Sequence, residues 1–399
     1  MILILWAGLW LSLAFFLFTS AILVHNYLHF KSLETSEIEI SEDKPMVSVL
    51  IPSRNEGQTL PKLLESLEKQ DYSEIEILVL DDGSEDNTKQ VADQFARNSS
   101  FEMRVISGEQ RPEGWLGKNW ACHQLSQAAR GSLLLFLDAD TWLDASAVKR
   151  MVAMIQKYEL NVLTVWPHQC MPTRLEKTVI GTVYSTVALY LPTLYSYKAP
   201  RWIPTSTLKR KTKPLFASAC GQCLLFDREA YQRTGGHASV KGEVVEDVML
   251  ARRAVASGEV MRMFRGNDTL FCRMYQNRQD LFNGFRKNFY AGFGGRLFPF
   301  VLSWILHLIV FIFPPILFIY LLMGGLNETS IGMLKEVSLI ATLIPLLQRY
   351  WVDRLYQWPK STGAYYLAGV LWFNVLAVVI LFDLFFNRNI QWKGREIKA

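Results

Sequence analysis

Three short acidic stretches carry the residues best suited to chemistry: Asp81-Asp82, Asp138-Ala139-Asp140 and Glu246-Asp247. The second follows LLLFL at 133–137, a run that reads as a buried strand. Carboxylates at i and i+2 of an extended segment share one face. Where the strand ends they can part, leaving Asp140 to hold a divalent cation while Asp138 meets a neighbouring group or a metal-bound water. Mg2+ and Mn2+ accept few carboxylates when phosphate oxygens complete the shell. The alternative is a solvated turn in which Thr141 and Asp144 cap the next helix. Glu246-Asp247 opens a helix expected over 247–257, where acids also favour the helix dipole. A carboxylate there can serve instead as a base, a role worth on the order of 10²–10⁴-fold.

Weaker candidates surround these. Gly117 and Lys118 precede a helix expected over 119–130, so Lys118 can meet a phosphate near free backbone N–H groups. Trp115 and Trp120 can stack on a ring or fill core, and His123 suits a helix surface. His237 follows Gly235-Gly236 and reads either as an acceptor-side residue or as a structural histidine.

Positioning these groups requires a sheet. MVSVLI (46–51) stops at Pro52, IEILVL (75–80) runs into Asp81, and further strands are expected at 103–106 and 133–137. Helical spacing of leucines over 58–70 and helices at 88–97 and 119–130 separate them. The alternation predicts an α/β domain with a mostly parallel sheet flanked by helices. Ligands in such sheets bind beyond the carboxyl ends of the strands, so both Asp pairs open onto one cleft.

The chain has 399 residues, half of them hydrophobic, with 42 Lys+Arg against 37 Asp+Glu. A net charge of +5 without a basic stripe gives no reason to expect nucleic acid. Mean hydropathy is +0.12, and the apolar excess sits at the ends. Residues 1–24 are uncharged and long enough to span a bilayer, and read as a retained anchor rather than a signal peptide. A linker follows at 25–45. Spans are expected at 299–323 and 363–386, with 334–348 uncertain because of Pro345, and a basic tail at 387–399. Whether three or four spans are made decides the side of that tail, and the flanking charges conflict. The sequence between 46 and 298 is expected to be the catalytic domain, on the cytoplasmic side of a cell membrane. Within it, VIGTVYSTVALYLPTLYSY (179–197) is apolar but cannot cross a bilayer, because the DAD and ED groups on either side of it must share one site. Segment 179–213 is expected to lie in the interface, with Arg201, Lys209, Arg210, Lys211 and Lys213 toward headgroups. Five unpaired cysteines suggest reduced thiols, and Cys220-Gly-Gln-Cys223 reads as buried small side chains rather than a zinc or redox motif.

VSVLIPSRNEGQTLPKLLESL, ILVLDDGSEDNT, LLFLDADT and VVEDVMLARR, in this order over about 46–260, resemble the family 2 glycosyltransferases of the GT-A fold. The resemblance implies inverting transfer of a sugar from a nucleotide diphosphate donor with Mg2+ or Mn2+. It places Pro52, Arg54, Asn55, Glu56, Asp82 and Asp138 at the donor and Asp140 on the metal. Lys118 joins the donor group. Asp247 becomes the catalytic base, with Glu246, His237 and Trp115 on the acceptor side. Processive members carry QxxRW; here Gln276-Asn-Arg278-Gln279 lacks the tryptophan, which argues against polymer synthesis. RMYQNRQDLFNGFRKN and the terminal QWKGR resemble instead the bacterial branch with the C30-carotenoid glucosyltransferases. That branch implies UDP-glucose, a lipid-like acceptor ending in a carboxylate, and a membrane as partner. Arg278, Arg286 and Lys287 then face an anionic acceptor, lipid headgroups or, as ordinary flanking charge, the cytoplasm. Other lipids as acceptors (a polyprenyl phosphate, a hopanoid, diacylglycerol) and a silent scaffold of the same fold are the alternatives.

Overall fold

The computed structural model describes residues 2–33, 44–325, 332–386, 388–392 and 395–398. Residues 34–43 of the expected linker, and Asn387, Lys393, Gly394 and Ala399 of the basic tail, lie outside the described residues. The chain divides into two compact units, each built from separated stretches: His29–Cys170 with Thr193–Gln276, and Met1–Leu28 with Met171–Pro192 and Asn277–Ala399.

The first unit is an eight-stranded sheet. Its strands are β1 Val47–Ser53, β2 Ile75–Asp81, β3 Glu102–Ser107, β4 Leu133–Leu137, β5 Thr141–Leu143, β6 Val162–Gln169, β7 Cys223–Asp227 and β8 Met261–Cys272, in the order β3-β2-β1-β4-β7-β6-β8-β5. β1 pairs in parallel with β2 and β4, and β2 with β3. β7 then runs antiparallel to both β4 and β6, and β5 antiparallel to β8. The sheet is thus mixed, with a parallel half that carries the acidic strand ends. The chain steps from β1 outward to β3, then returns to place β4 on the other side of β1. That reversal opens a crevice at the carboxyl ends of β1 and β4.

Side-chain alternation gives each face its own cover. Val47, Val49 and Ile51, Leu133, Leu135 and Leu137, and Cys223 and Leu225 join one buried cluster with Leu60, Leu63, Leu64 and Leu67 of helix Leu60–Leu67 and Met151 of helix Ala147–Lys157. Phe136 and Phe226 point the other way, where Tyr231 of helix Arg228–Arg233 contacts both rings. Burial of these apolar side chains is the main favourable term in holding the strand ends in place.

Below the acidic edge, fully buried Glu76 of β2 joins four segments. Its carboxylate accepts from Ser48 Oγ at 2.6 Å, Arg130 N at 2.6 Å, Gly131 N at 3.2 Å and Arg104 Nη2 at 2.9 Å. These bonds outweigh the cost of burial and bring its pKa down to about 2.

The second unit is helical. Three helices among the described residues are long and apolar enough to cross a membrane: Ile2–His29, Leu297–Leu322 and Ser361–Phe385. The first includes His25 and His29, which the sequence places after the anchor. The second widens to a π turn at Leu308–Ile312, just ahead of Pro314 and Pro315, which have no N–H to give to the preceding turn. The uncertain stretch 334–348 belongs to one helix, Gly332–Leu355, with Pro345 inside it. It carries Arg349 and Asp353, both buried and paired at 2.7 Å.

Segment 179–213, expected to be one interfacial element of the catalytic domain, is divided. Helix Arg174–Tyr190 belongs to the helical unit, and residues from Thr193 onward belong to the sheet unit. Its Tyr184 packs on Tyr356 and Trp358, and Asn26 donates to the carbonyls of Ala188 and Leu191 at 2.9 and 2.7 Å. Arg286 is likewise occupied: its Nε pairs with Asp383 Oδ2 at 2.5 Å. The fixed bridge accounts for Arg286 without an acceptor or a headgroup.

Candidate active site

Pro52 at the end of β1 and Asp138 just past β4 line one cavity together with Lys118, His237, Glu246 and Asp247. Gly221, Leu224, Phe136, Leu137 and Cys122 complete its wall. Six of the sequence-derived site residues, from five separate stretches of chain, therefore meet at the crevice that the strand order creates.

Lys118 is the hub. It lies in the first turn of helix Gly117–Ala128, and its Nζ stands 2.7 Å from Asp138 Oδ1 and 3.2 Å from Glu246 Oε1. Burial alone would favour the neutral amine; the two carboxylates outweigh it and hold the ammonium firmly charged. Its neighbour Asn119 fixes the opposite wall. Buried Asn119 donates through Nδ2 to the carbonyls of Val240, Lys241 and Glu243, at 2.8, 3.1 and 3.0 Å. This clamps the loop that leads into helix Glu246–Ala256.

Asp247 is held by backbone donors. Gly221 N–H donates to Oδ2 at 2.6 Å and Val248 N–H to Oδ1 at 2.8 Å. Its pKa is nevertheless raised to about 7, first by burial and then by the Glu246 carboxylate, against the lowering pull of Lys118 and the two N–H bonds. A carboxyl group that titrates near neutrality inside a cavity suits proton transfer.

His237 is buried beside these acids. Its Nδ1 and the Tyr231 hydroxyl are 2.7 Å apart, and its own backbone N–H donates to that hydroxyl at 3.0 Å. Burial and the Lys118 charge lower its pKa to about 3, so the ring is neutral at physiological pH. Gly236, at φ +49, lies against Tyr231, and a Cβ there would sit 2.4 Å from the ring.

The remaining candidates lie outside the lining of this cavity. Arg54 Nη1 donates to the carbonyls of Asp82 and Gly83 at 2.6 and 2.9 Å, tying the turn after β1 to the turn after β2. Asn55, at φ 54, accepts from Glu85 N–H at 2.8 Å, and Glu56 N–H donates to Thr88 Oγ1 at 2.8 Å. These two turns rim the carboxyl edge of the parallel half. Trp115 packs with Trp120 and His123, each at 5.0 Å between ring centres. Asp140 follows Asp138 past the end of β4, and its backbone carbonyl accepts from Arg273 N–H at 3.3 Å.

The acids of the cavity meet an ammonium. Asp138, Glu246 and Asp247 place three carboxyl groups against one ammonium, with Asp140 close by in the chain. Among the described residues no three potential ligand side chains converge. A cation here would rely on one or two carboxylates and on ligand oxygens, an arrangement typical of Mg2+ and Mn2+.

Residues 48–235 match the family model for glycosyl transferase family 2. That stretch of the chain is similar to family 2 glycosyltransferases. Curated relatives of the chain include the 4,4'-diaponeurosporenoate glycosyltransferase of Staphylococcus aureus (strain USA300), 27% identical over 253 residues. That alignment spans 62% of this chain and 62% of the relative. The protein of the same name from Staphylococcus haemolyticus (strain JCSC1435) is 26% identical over 59% of this chain and 58% of its own length. The chain shares its fold with a mannosyltransferase from Pyrobaculum calidifontis solved in complex with GDP-Man and Mn2+. The TM-score is 0.50 at 14% identity, over 96% of this chain and 99% of that one.

Proposed function

We propose that this glycosyltransferase moves glucose from UDP-glucose to a hydrophobic acceptor at a cell membrane, with a terminal carotenoid carboxylate as the acceptor group. The observation that carries the reading is the meeting of Lys118, Asp138, Glu246 and Asp247 in one cavity at the sheet crevice. The names of the staphylococcal relatives supply the acceptor class. Three helices long and apolar enough to cross a bilayer supply a means of reaching it.

In this reading Pro52, Arg54, Asn55, Glu56 and Asp82 border the nucleoside and Asp138 the ribose side. Lys118 offers a point charge to the diphosphate. Asp140, with Asp138 beside it, would hold Mg2+ or Mn2+, whose chemistry is to neutralise charge on the departing UDP. Asp247 faces the acceptor. A hydroxyl acceptor gives its proton to Asp247 as it attacks; a carboxylate acceptor arrives ionised, and Asp247 then orients it. Glu246 and His237 complete the acceptor side, with Trp115 at its margin. The sheet unit faces the cytoplasm, where UDP-sugars are made.

The test is UDP release by the purified full chain in nanodiscs, with Mn2+ or Mg2+, a panel of UDP-sugars and lipid extracts as acceptors. Glucose-dependent release with a carotenoid acid as the favoured acceptor supports the reading. No release with any donor from folded protein supports a silent scaffold, and release with a different lipid reassigns the acceptor. Asp247→Asn is expected to bind UDP nearly as well as the parent while transfer to a hydroxyl acceptor falls about 10²–10⁴-fold. Collapse of UDP binding would instead place Asp247 at the donor.

A further inference from the structure

Residues 177–226 contain no Asp or Glu, and within them Lys198, Arg201, Lys209, Arg210, Lys211 and Lys213 gather in a short span. The cavity at the sheet crevice uses none of these charges. They belong to the sheet unit, which resumes at Thr193. Both ends of the span are pinned to that unit. Thr193, Ser196 and Ile203 are buried ahead of it and Ala217 after it. Tyr195 and Phe216 meet edge to face, 5.4 Å between ring centres.

Between the pins the chain forms an uncovered lobe. Helix Ser206–Thr212 and the 3-10 turn Lys213–Phe216 bury none of their residues. Thr205 Oγ1 caps the helix by accepting from Leu208 N–H at 3.2 Å. A helix this short is marginal in water by itself, and most helices gain their stability by burying an apolar stripe. Here the large apolar side chains face out instead: Trp202 is 70% exposed, Leu208 45% and Leu215 66%. Arg201, Arg210 and Lys211 are exposed among them. Basic residues in the last turn suit the helix dipole, which accounts for Lys209, Arg210 and Lys211 but for neither Arg201 nor the exposed Trp202 and Leu215.

Indole, leucine and unbalanced positive charge together match the boundary of an anionic bilayer. Tryptophan settles at headgroup level, leucine enters the acyl edge, and Lys and Arg meet lipid phosphates. An acidic protein would match the charge as well, but this chain brings its own bilayer. Trp202 follows closely in sequence after Tyr190, where a helix of the helical unit ends, and that unit holds three helices apolar enough to cross a membrane. We infer that residues 201–215 are a docking surface for an anionic lipid leaflet. Lys213–Phe216 also runs alongside helix Glu246–Ala256, whose first turn carries Glu246 and Asp247. A leaflet seated on the lobe lies next to the element that bears the acids assigned to the acceptor. The inference rests on the membrane part of the reading given above, and on neither the donor nor the identity of the acceptor.

The experiment is hydrogen–deuterium exchange on the full chain in nanodiscs of phosphatidylcholine alone and of phosphatidylcholine with phosphatidylglycerol. At low salt, amides of 201–215 are expected to exchange about 10-fold more slowly in the anionic discs, and the protection is expected to fade as salt rises. Helix Thr88–Asn98, which has no share in the lobe, exchanges alike in both. Lys209→Gln/Arg210→Gln/Lys211→Gln and Trp202→Ala/Leu208→Ala/Leu215→Ala each lose the protection at 201–215 while Thr88–Asn98 stays parent-like. If either variant does not fold, the salt dependence of the parent decides. Equal exchange in the two kinds of disc, or protection indifferent to salt, overturns the docking surface and leaves the membrane reading standing. Protection that appears only when an acidic protein such as poly-glutamate-tagged carrier is added overturns the leaflet in favour of a protein partner. A chain that does not enter nanodiscs overturns the membrane reading, and the docking surface with it.

Discussion

Gly221 gives its backbone N–H to Asp247 at 2.6 Å, and a methyl group on its Cα would stand 3.1 Å from both Asp247 Oδ2 and Lys118 Nζ. The absence of a side chain at 221 thus lets an acid and an ammonium share one wall. Lys118 is flexible at its tip and can retreat; Asp247, held by two N–H groups, cannot. Gly221→Ala is therefore expected to lower transfer roughly 10-fold by pushing Lys118 off its partners, with a melting temperature close to the parent's. Steady-state rates beside a thermal melt check both halves.

The acidity of Asp247 predicts a pH profile. With a hydroxyl acceptor, the base works when deprotonated, so kcat rises with pH through about 7. Glu246 raises that pKa and Lys118 lowers it. Glu246→Gln should move the rising limb to lower pH, and Lys118→Met should move it to higher pH. Shifts in the same direction for both variants would contradict the electrostatic assignment.

Glu76 predicts how the sheet unit responds to acid. Its carboxyl titrates at about 2 in the fold against an ordinary 4.5. The stability it adds is present above the ordinary value and drains away as pH falls toward 2. Glu76→Gln places an amide N–H₂ among donors from Ser48, Arg104, Arg130 and Gly131. The half-exposed arginines regain water, so the expected cost at pH 7 is about 3 kcal/mol, the lower end for a broken buried pair. Denaturation curves of parent and variant should converge as the solution is acidified.

Gly369 predicts close packing in the helical unit. A Cβ there would lie 2.0 Å from Thr182 Oγ1 and 2.7 Å from the Thr178 carbonyl, so helices Arg174–Tyr190 and Tyr366–Phe385 meet through a small residue. Gly369→Ala should cost about 1–3 kcal/mol through overpacking, seen as a lower melting temperature in detergent. A parent-like melt would show that the helices separate freely.

The parallel half of the sheet was legible because its strands are short apolar runs closed by Pro52, Asp81 and Asp138, where composition changes within one residue. Leu133–Leu137 lies where its five apolar residues put it. β6 and β8 were not read: Pro167 and His168 interrupt one, and Arg262, Arg265, Asn267 and Asp268 the other. Burial between neighbouring strands overrides that polarity. In the site, charged residues announced themselves, and Lys118, Asp138, Glu246 and Asp247 do converge. Gly221 and Asn119 left no such signal, since they act through a backbone N–H and a side-chain amide. The mixed character of 179–197 points to a bilayer surface, whereas Tyr184 packs on Tyr356 and Trp358, and Thr178 and Thr182 lie against Gly369.

The insertion of Met171–Pro192 between the two stretches of the sheet unit limits how the protein can be simplified. Trimming the apolar ends to obtain a water-soluble fragment removes Asn26, Tyr356, Trp358 and Gly369, on which helix Arg174–Tyr190 packs, but keeps the helix itself. Val179, Ile180, Tyr184 and Leu189 would then be left facing solvent. A fragment cut that way would aggregate through this orphaned stripe; a short hydrophilic splice from Cys170 to Thr193 is the more promising route to a soluble enzyme.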